Sequence, residues 1–160
     1  MVEVRRFIAA EPQKVFDVLS DGWQYANWVV GAAHIRAVDR GWPAAGSRIH
    51  HKIGAWPVQM ADVTRVLKLD APALLELEAE VRPLGTAWVK MELSPVDGGT
   101  EVRMTERIVH GPMAAIPIGV QALLLKPRNA ESLSRLADLV QGRIALADAA
   151  TAAPGQSGVS

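Results

Sequence analysis

Three times between Leu74 and His110 the chain alternates apolar with polar side chains. Leu75, Leu77, Ala79 and Val81 alternate with Glu76, Glu78, Glu80 and Arg82. Ala87, Val89, Met91 and Leu93 alternate with Thr86, Trp88, Lys90 and Glu92, and Val102, Met104 and Ile108 with Glu101, Arg103, Thr105 and Arg107. Successive side chains of a strand point to opposite faces, so these runs predict a sheet with one face in water. Glu106 breaks the third run, because it shares the parity of Met104 and Ile108. A carboxylate facing a core is costly unless it is paired or wetted. Its place therefore points to a face that is partly hollow.

The same signals predict the remaining elements. Val2 to Ala9 is a first strand, with Val2, Val4 and Ile8 on one face. Glu11-Pro12 opens a short helix, since proline suits the first helical turn, and Ser20-Asp21-Gly22 ends it. Trp23 to Trp28 is a second short helical or turn segment. His34 to Arg40 is a strand. Ser47 to Gly54 and Val58 to Leu69 form a hairpin around Ala55-Trp56-Pro57. Turns at 70–72, 82–85 and 95–99 separate the last three strands, and Asp97-Gly98 is a strong hairpin signal. Past the seventh strand the period becomes helical. Asn129 fits an N-cap, and Ala130, Leu133, Leu136, Ala137, Val140 and Ile144 follow at helical spacing. The tail at 147–160 has too little apolar surface to offset ordering entropy and is expected to be disordered. The expected fold is α+β: a curved, seven-stranded antiparallel sheet wrapped around a long C-terminal helix. A sheet gripping one helix leaves a gap at one end, which is a natural pocket.

At 160 residues, 49% of them hydrophobic, the chain fits one domain with a sizeable core. Lysine and arginine number 17 and so do aspartate and glutamate, a balance with no electrostatic footprint for nucleic acid. There is no cysteine, which excludes disulfides, thiolate nucleophiles and Cys-ligated metals. The longest apolar run, Met113 to Leu125, is interrupted by Pro117, Gly119 and Gln121 and falls short of the about 20 residues that span a bilayer. With no signal-peptide pattern at Met1 to Gln13, a cytoplasmic protein is expected.

Some stretches resemble a known family: VEVRRFIAAEPQKVFDVLSD, YANWV, GWPAAGSRIHHKIG, LELEAEVRPLG, GGTEVRMTE and RNAESLSRLADLV. They are similar to the START-like, or SRPBCC, helix-grip superfamily, and within it to the polyketide cyclase/dehydrase and lipid transport group. The likeness covers about Val2 to Leu146, so residues 1–146 are expected to form the domain. Its strongest piece, the opening strand with A-x-P-x-x-V-F-x-x-L-S-D, is a signature of fold and not of catalysis. The resemblance implies a cavity for a hydrophobic small molecule, lipid- or polyketide-like. Some members cyclise or dehydrate such a ligand, and no catalytic motif of the group maps onto this chain.

Strand parity and the inward stripe of the helix name the expected pocket wall: Trp28, Ile49, His51, Met60, Val89, Met91, Met104, Glu106 and Leu133. Met60 and Asp62 are the least secure, because Ala61, Val63 and Leu67 compete to be the inner face of their strand. Glu106 fits a proton-transferring carboxylate or a ligand anchor, and equally a carboxylate that reaches water or pairs with an arginine. His51 fits a general acid/base, or, as the preferred reading, a core histidine satisfied by a neighbour. A cyclase or dehydratase would use Glu106 as base and His51 as donor. His50 and His51 point to opposite faces and cannot share an ion without a bulge, so no metal site is expected. No cofactor is implied, since there is no P-loop and glycines occur only at turns. The segment Met113 to Leu125 fits a mobile flap over an apolar pocket, or a loop and short helix packed on the sheet. Trp88, beside the outward Glu76, Glu78 and Glu80, would serve a protein-interaction module. A homodimer through the sheet's outer face is compatible with the sequence, which leaves the oligomeric state open.

Overall fold

The computed structural model describes residues 1–53 and 60–153. Seven antiparallel strands form one sheet: β1 (Val2–Ile8), β2 (Ala32–Val38), β3 (Arg48–Ile53), β4 (Met60–Asp70), β5 (Leu74–Val81), β6 (Gly85–Val96) and β7 (Gly99–His110). Their order across the sheet is β1-β7-β6-β5-β4-β3-β2. Strands β2 to β7 are thus sequential neighbours, as short connections dictate. The first strand instead closes on the last, with Val2 opposite Glu106 and Ile8 opposite Thr100. The helices α1 (Pro12–Leu19) and α2 (Tyr25–Trp28) fill the excursion from β1 to β2. The expected turn at Ala55-Trp56-Pro57 lies outside the described residues.

The alternation does what it predicts. Leu75, Leu77, Ala87, Val89, Met91, Leu93, Val102 and Met104 are buried on one face. Charged side chains on the other pair across strands, as Arg5 of β1 does with Glu101 of β7 at 3.6 Å, and along them, as Lys90 does with Glu92 at 3.1 Å. The strand β4 settles its own ambiguity: Asp62, Thr64 and Val66 are buried while Ala61, Arg65 and Leu67 are exposed. Met60 has the inward parity but sits exposed at the strand's start, which corrects its place in the expected pocket wall.

The long helix α3 runs from Ile118 to Ala152 and so begins twelve residues earlier than an N-cap at Asn129 would allow. It passes through Pro127, which cannot donate to the carbonyl one turn back. An interior proline costs about 3 kcal/mol in an isolated helix. Here both sides of the break are anchored, because Gln121, Leu125, Asn129, Ser132, Leu133, Leu136, Ala137 and Val140 are all buried. Asn129 spends its side chain on the sheet and caps nothing. The helix also continues into the expected tail as far as Ala152, because alanine, the best helix former, dominates 147–152; residues 154–160 lie outside the described residues. The segment expected as a flap is a 3-10 turn, Pro112–Ala115, followed by the first turns of α3. Gln121 Nε2 ties the two together, donating to the carbonyls of Met113 at 3.1 Å and Ile116 at 2.8 Å. Among the described residues no helix is long and apolar enough to cross a membrane.

Leu136 lies fully buried where α3 crosses the sheet. Replacing it with alanine is expected to cost about 2–5 kcal/mol in urea unfolding, the range for a buried leucine that leaves a cavity. Leu146→Ala, on an exposed site of the same helix, should cost well under that.

Candidate functional site

The register of β7 decides where the unusual carboxylate goes. Glu106 stands opposite Val2 on one side and Val89 on the other, so its strand neighbours offer it nothing polar. Its partners come from α3 above. Arg128 Nη1 donates to both carboxylate oxygens, at 3.2 and 3.0 Å, and Asn129 Nδ2 donates to Oε2 at 2.6 Å. The Glu106 side chain is 4% exposed and that of Arg128 is 31% exposed. The buried carboxylate is thereby paired and hydrogen-bonded, which offsets the cost of its burial.

Arg128 is also held from the other side. Its Nε donates to the Val30 carbonyl at 3.0 Å. Ser132 Oγ, one turn on, accepts from the Val30 amide at 3.1 Å. Two residues of α3 thus satisfy both backbone groups of Val30 and fix the turn between α2 and β2. Arg128 Nη2 makes no hydrogen bond among the described residues.

Arg128 borders three voids. The outer one has a volume of about 210 Å³ and is lined by Val81, Leu84, Gly85, Thr86, Ile108, Met113, Leu124 and Leu125, with Glu106 and Arg128 at its inner end. Behind the ion pair lies a void of about 20 Å³ bounded by Tyr25, Trp28, Val89 and Met104. A third, of about 80 Å³, is bounded by Tyr25, Gly31, His51, Ile53 and Ala79. The ion pair stands between an apolar antechamber and two small inner voids. The antechamber's rim depends on two glycines. Gly85 opens β6 at φ 141° and Gly111 follows β7 at φ 92°, and their backbones approach so closely that a Cβ on either would collide with the other segment.

The expected wall residues divide accordingly. Glu106, Trp28, Val89 and Met104 border the voids on either side of the ion pair, and His51 borders the third. Ile49, Met91 and Leu133 are solid core. The carboxylate and the imidazole face different voids, with Arg128 common to both. The residues that strand parity missed are Arg128, Asn129 and Tyr25. An arginine next to a proline in an unbroken helix was the signal for the first two, hidden by the assumption that the helix began at Asn129.

The inner polar groups are sparsely satisfied. Thr64 Oγ1 lies 2.9 Å from His51 Nε2 and 3.1 Å from the Tyr25 hydroxyl. The His51 ring stacks at a tilt on Tyr25, 5.4 Å between centroids. His51 Nδ1 and Trp28 Nε1 are buried without a partner among the described residues. Burial pushes the His51 pKa below the ordinary histidine value, opposed by the Lys52 backbone. Burial pushes the Tyr25 hydroxyl up, against the Thr64 hydrogen bond. Asp62 goes up by burial too, opposed by the Arg82 amide, which donates to both its oxygens. The inner end is therefore lined by a neutral phenol and a neutral imidazole. On the opposite face of the sheet Trp88 is occupied locally: its Nε1 donates to Glu76 at 3.3 Å and Arg107 lies over its ring at 5.4 Å.

A hollow between one curled antiparallel sheet and a long C-terminal helix defines the helix-grip class. The chain belongs to the family described as polyketide cyclase / dehydrase and lipid transport, whose model matches residues 1–141. Solved structures share the fold at low identity. A Rhodobacter sphaeroides protein is 22% identical, with a TM-score of 0.69 over 88% of this chain and 91% of its own. Ara h 8.0201 is 14% identical, with a TM-score of 0.66 over 88% of this chain and 96% of its own. DynU16, a protein of the dynemicin biosynthetic locus, is 17% identical, with a TM-score of 0.65 over 88% of this chain and 46% of its own. No curated protein matches the chain.

Replacing Arg128 with methionine strands Glu106 in apolar surroundings. Losing one partner of a fully buried pair costs about 3–5 kcal/mol; the partial exposure of this guanidinium lowers the expectation to about 2–4 kcal/mol by urea unfolding. Adding Glu106→Gln should recover most of it, because the stranded charge is gone. A double variant no more stable than Arg128→Met would refute the pairing energetics.

The lowered His51 pKa fixes a pH dependence. The unfolded chain takes up this proton near pH 6.5 and the folded chain only at lower pH. The histidine's contribution is therefore flat above about pH 6.5 and destabilising as pH falls from there through the folded value. Urea midpoints between pH 8 and pH 5 should decline in the wild type and decline less in His51→Gln. Parallel pH profiles would show that the ring titrates as freely as in the unfolded chain.

Proposed function

We propose that this protein binds a compact apolar small molecule in the antechamber, its one polar end turned toward Arg128. The observation that carries the reading is the composition of the 210 Å³ hollow: aliphatic side chains and Met113 make up most of its wall, with Thr86 and the Glu106–Arg128 pair as its polar groups. An apolar cavity of about 150 Å³ is enough to hold a benzene-sized molecule, and typical ligand pockets run from about 300 Å³ upward. A single ring or a short acyl chain suits this volume. A lipid- or polyketide-like ligand of larger size would have to open the antechamber into the voids behind the ion pair. Family membership supports the hydrophobic character of the ligand. The charge balance and the lack of cysteine suit a cytoplasmic protein whose partner is a small molecule and not nucleic acid.

Carriage is favoured over cyclisation or dehydration. A general base needs a free lone pair within reach of the acidic proton. Both oxygens of Glu106 already accept from Arg128, and one from Asn129 as well. His51 borders a different void from Glu106, with Arg128 common to both.

Filling the antechamber tests the reading. Ile108 lines it from the end of β7 and is part-buried. Wild-type protein should retain an apolar molecule in native mass spectrometry, or rise in melting temperature with some member of a panel of single-ring and short-chain compounds. Ile108→Trp should melt near the wild-type temperature and lose at least tenfold in affinity for whatever binds. Equal affinity in the filled variant, or no binder of the wild type in the panel, counts against the cavity as the site.

A further inference from the structure

Helix α3 follows one rule for most of its length and breaks it at its start. Beyond Asn129 its outward side carries Glu131, Arg135, Asp138, Gln141 and Asp148, all exposed. In the first turns the outward side is Val120, Leu123, Leu124 and Pro127, spaced i, i+3, i+4 and i+7. That spacing is the apolar stripe by which a helix normally buries itself. Here the buried side is already the other one, with Gln121, Leu125 and Asn129. Leu123 is 76% exposed and Leu124 is 57% exposed.

The patch continues off the helix. The Met113 amide donates to the Leu84 carbonyl at 3.2 Å, which brings the exposed Leu84 to the same end. Leu84 and Leu124 are at once exposed and part of the antechamber wall. The stripe therefore frames the mouth of the cavity. From Ile108 to Ala130 the chain holds no Asp or Glu; of its two cations there Arg128 is paired with Glu106, which leaves Lys126. Lys126 is exposed, beside the stripe.

We propose that this end of the molecule is a docking face for an anionic lipid surface, resting on the reading of the cavity as an apolar-ligand site. The leucines enter the boundary between headgroups and acyl chains, and Lys126 meets the phosphates. An apolar ligand then passes between bilayer and antechamber without crossing water. A second copy of the chain is the less suitable occupant. A stripe of about two helical turns, roughly 11 Å long on a helix about 10 Å across, covers on the order of 100 Å², against about 800 Å² per partner in a stable protein interface, and Lys126 of one copy would face Lys126 of the other.

Vesicle co-sedimentation tests the proposal, using phosphatidylcholine alone and phosphatidylcholine mixed with phosphatidylserine. Wild-type protein should pellet with the mixed vesicles, much less with the neutral ones, and less again at high salt. The variant Val120→Gln/Leu123→Gln, at positions that do not line the cavity, should bind the mixed vesicles at least tenfold more weakly while melting near the wild-type temperature. Lys126→Glu should lose the preference for anionic lipid. Wild-type protein that stays in the supernatant, or pelleting that the variants leave unchanged, overturns the docking face. So does self-association in sedimentation equilibrium that the double variant abolishes, since a second copy is then the occupant. Binding of a soluble apolar compound is measured separately by thermal shift. Loss of that signal with vesicle binding intact counts against the cavity reading alone.

Discussion

One carboxylate on the wrong face of a strand sets the terms for the rest of this molecule. Glu106 is buried between Val2 and Val89, and a lone charge there would cost several kcal/mol. Only the helix above can satisfy it, so Arg128 and Asn129 must sit within hydrogen-bond reach. That requirement fixes the rotation of α3 about its axis as well as its height over the sheet. Leu125 and Leu133 then fall on the inward side with them. It also accounts for a helix that tolerates Pro127, since unravelling the first turns would release the arginine from its carboxylate.

The same pair reaches a third element. Arg128 holds the Val30 carbonyl while its neighbour Ser132 takes the Val30 amide. Sheet, helix and the α2–β2 turn are therefore joined at one polar point inside an otherwise apolar space. Hydrophobic packing is tolerant of small shifts, whereas hydrogen bonds of this kind are directional. A polar joint in this place keeps the sheet and helix apart at a set distance and so keeps the antechamber hollow. Replacing it with well-packed aliphatic groups would remove the desolvation cost and close the gap.

Most of the architecture could be read from alternation alone. The apolar parities of β5, β6 and β7 survive without a shift, and even the anomaly at Glu106 pointed to a hollow. What could not be read has a common cause. Strand parity assigns a face but not a depth, so Ile49, Met91 and Leu133 look the same as Val89 and Met104 until the helix is laid over them. Met60 shows the converse, an inward parity at a strand end that the sheet's curvature leaves in solvent. The start of α3 was hidden because Pro127-Arg128-Asn129 carries strong local signals for a helix N-terminus. Tertiary contacts of Gln121 and Leu125 outweigh those signals. The arginine that completes the site lay in the segment misassigned for that reason.

The ion pair also bears on what chemistry the hollow can support. Three hydrogen bonds from Arg128 and Asn129 already fall on the Glu106 carboxylate, and a catalytic role there would have to give up contacts that hold α3 in place. Arg128 differs, since Nη2 is uncommitted and the group borders all three voids. Trp28 Nε1 is a buried donor with no acceptor among the described residues. Arg128 and Trp28 offer donors there, and a ligand carrying a neutral oxygen on an apolar body would accept from them. A carboxylate ligand would meet Glu106 as well as Arg128 and lose much of the attraction. Recognition of a carbonyl or ether oxygen is the part of the proposed function that these two donors support.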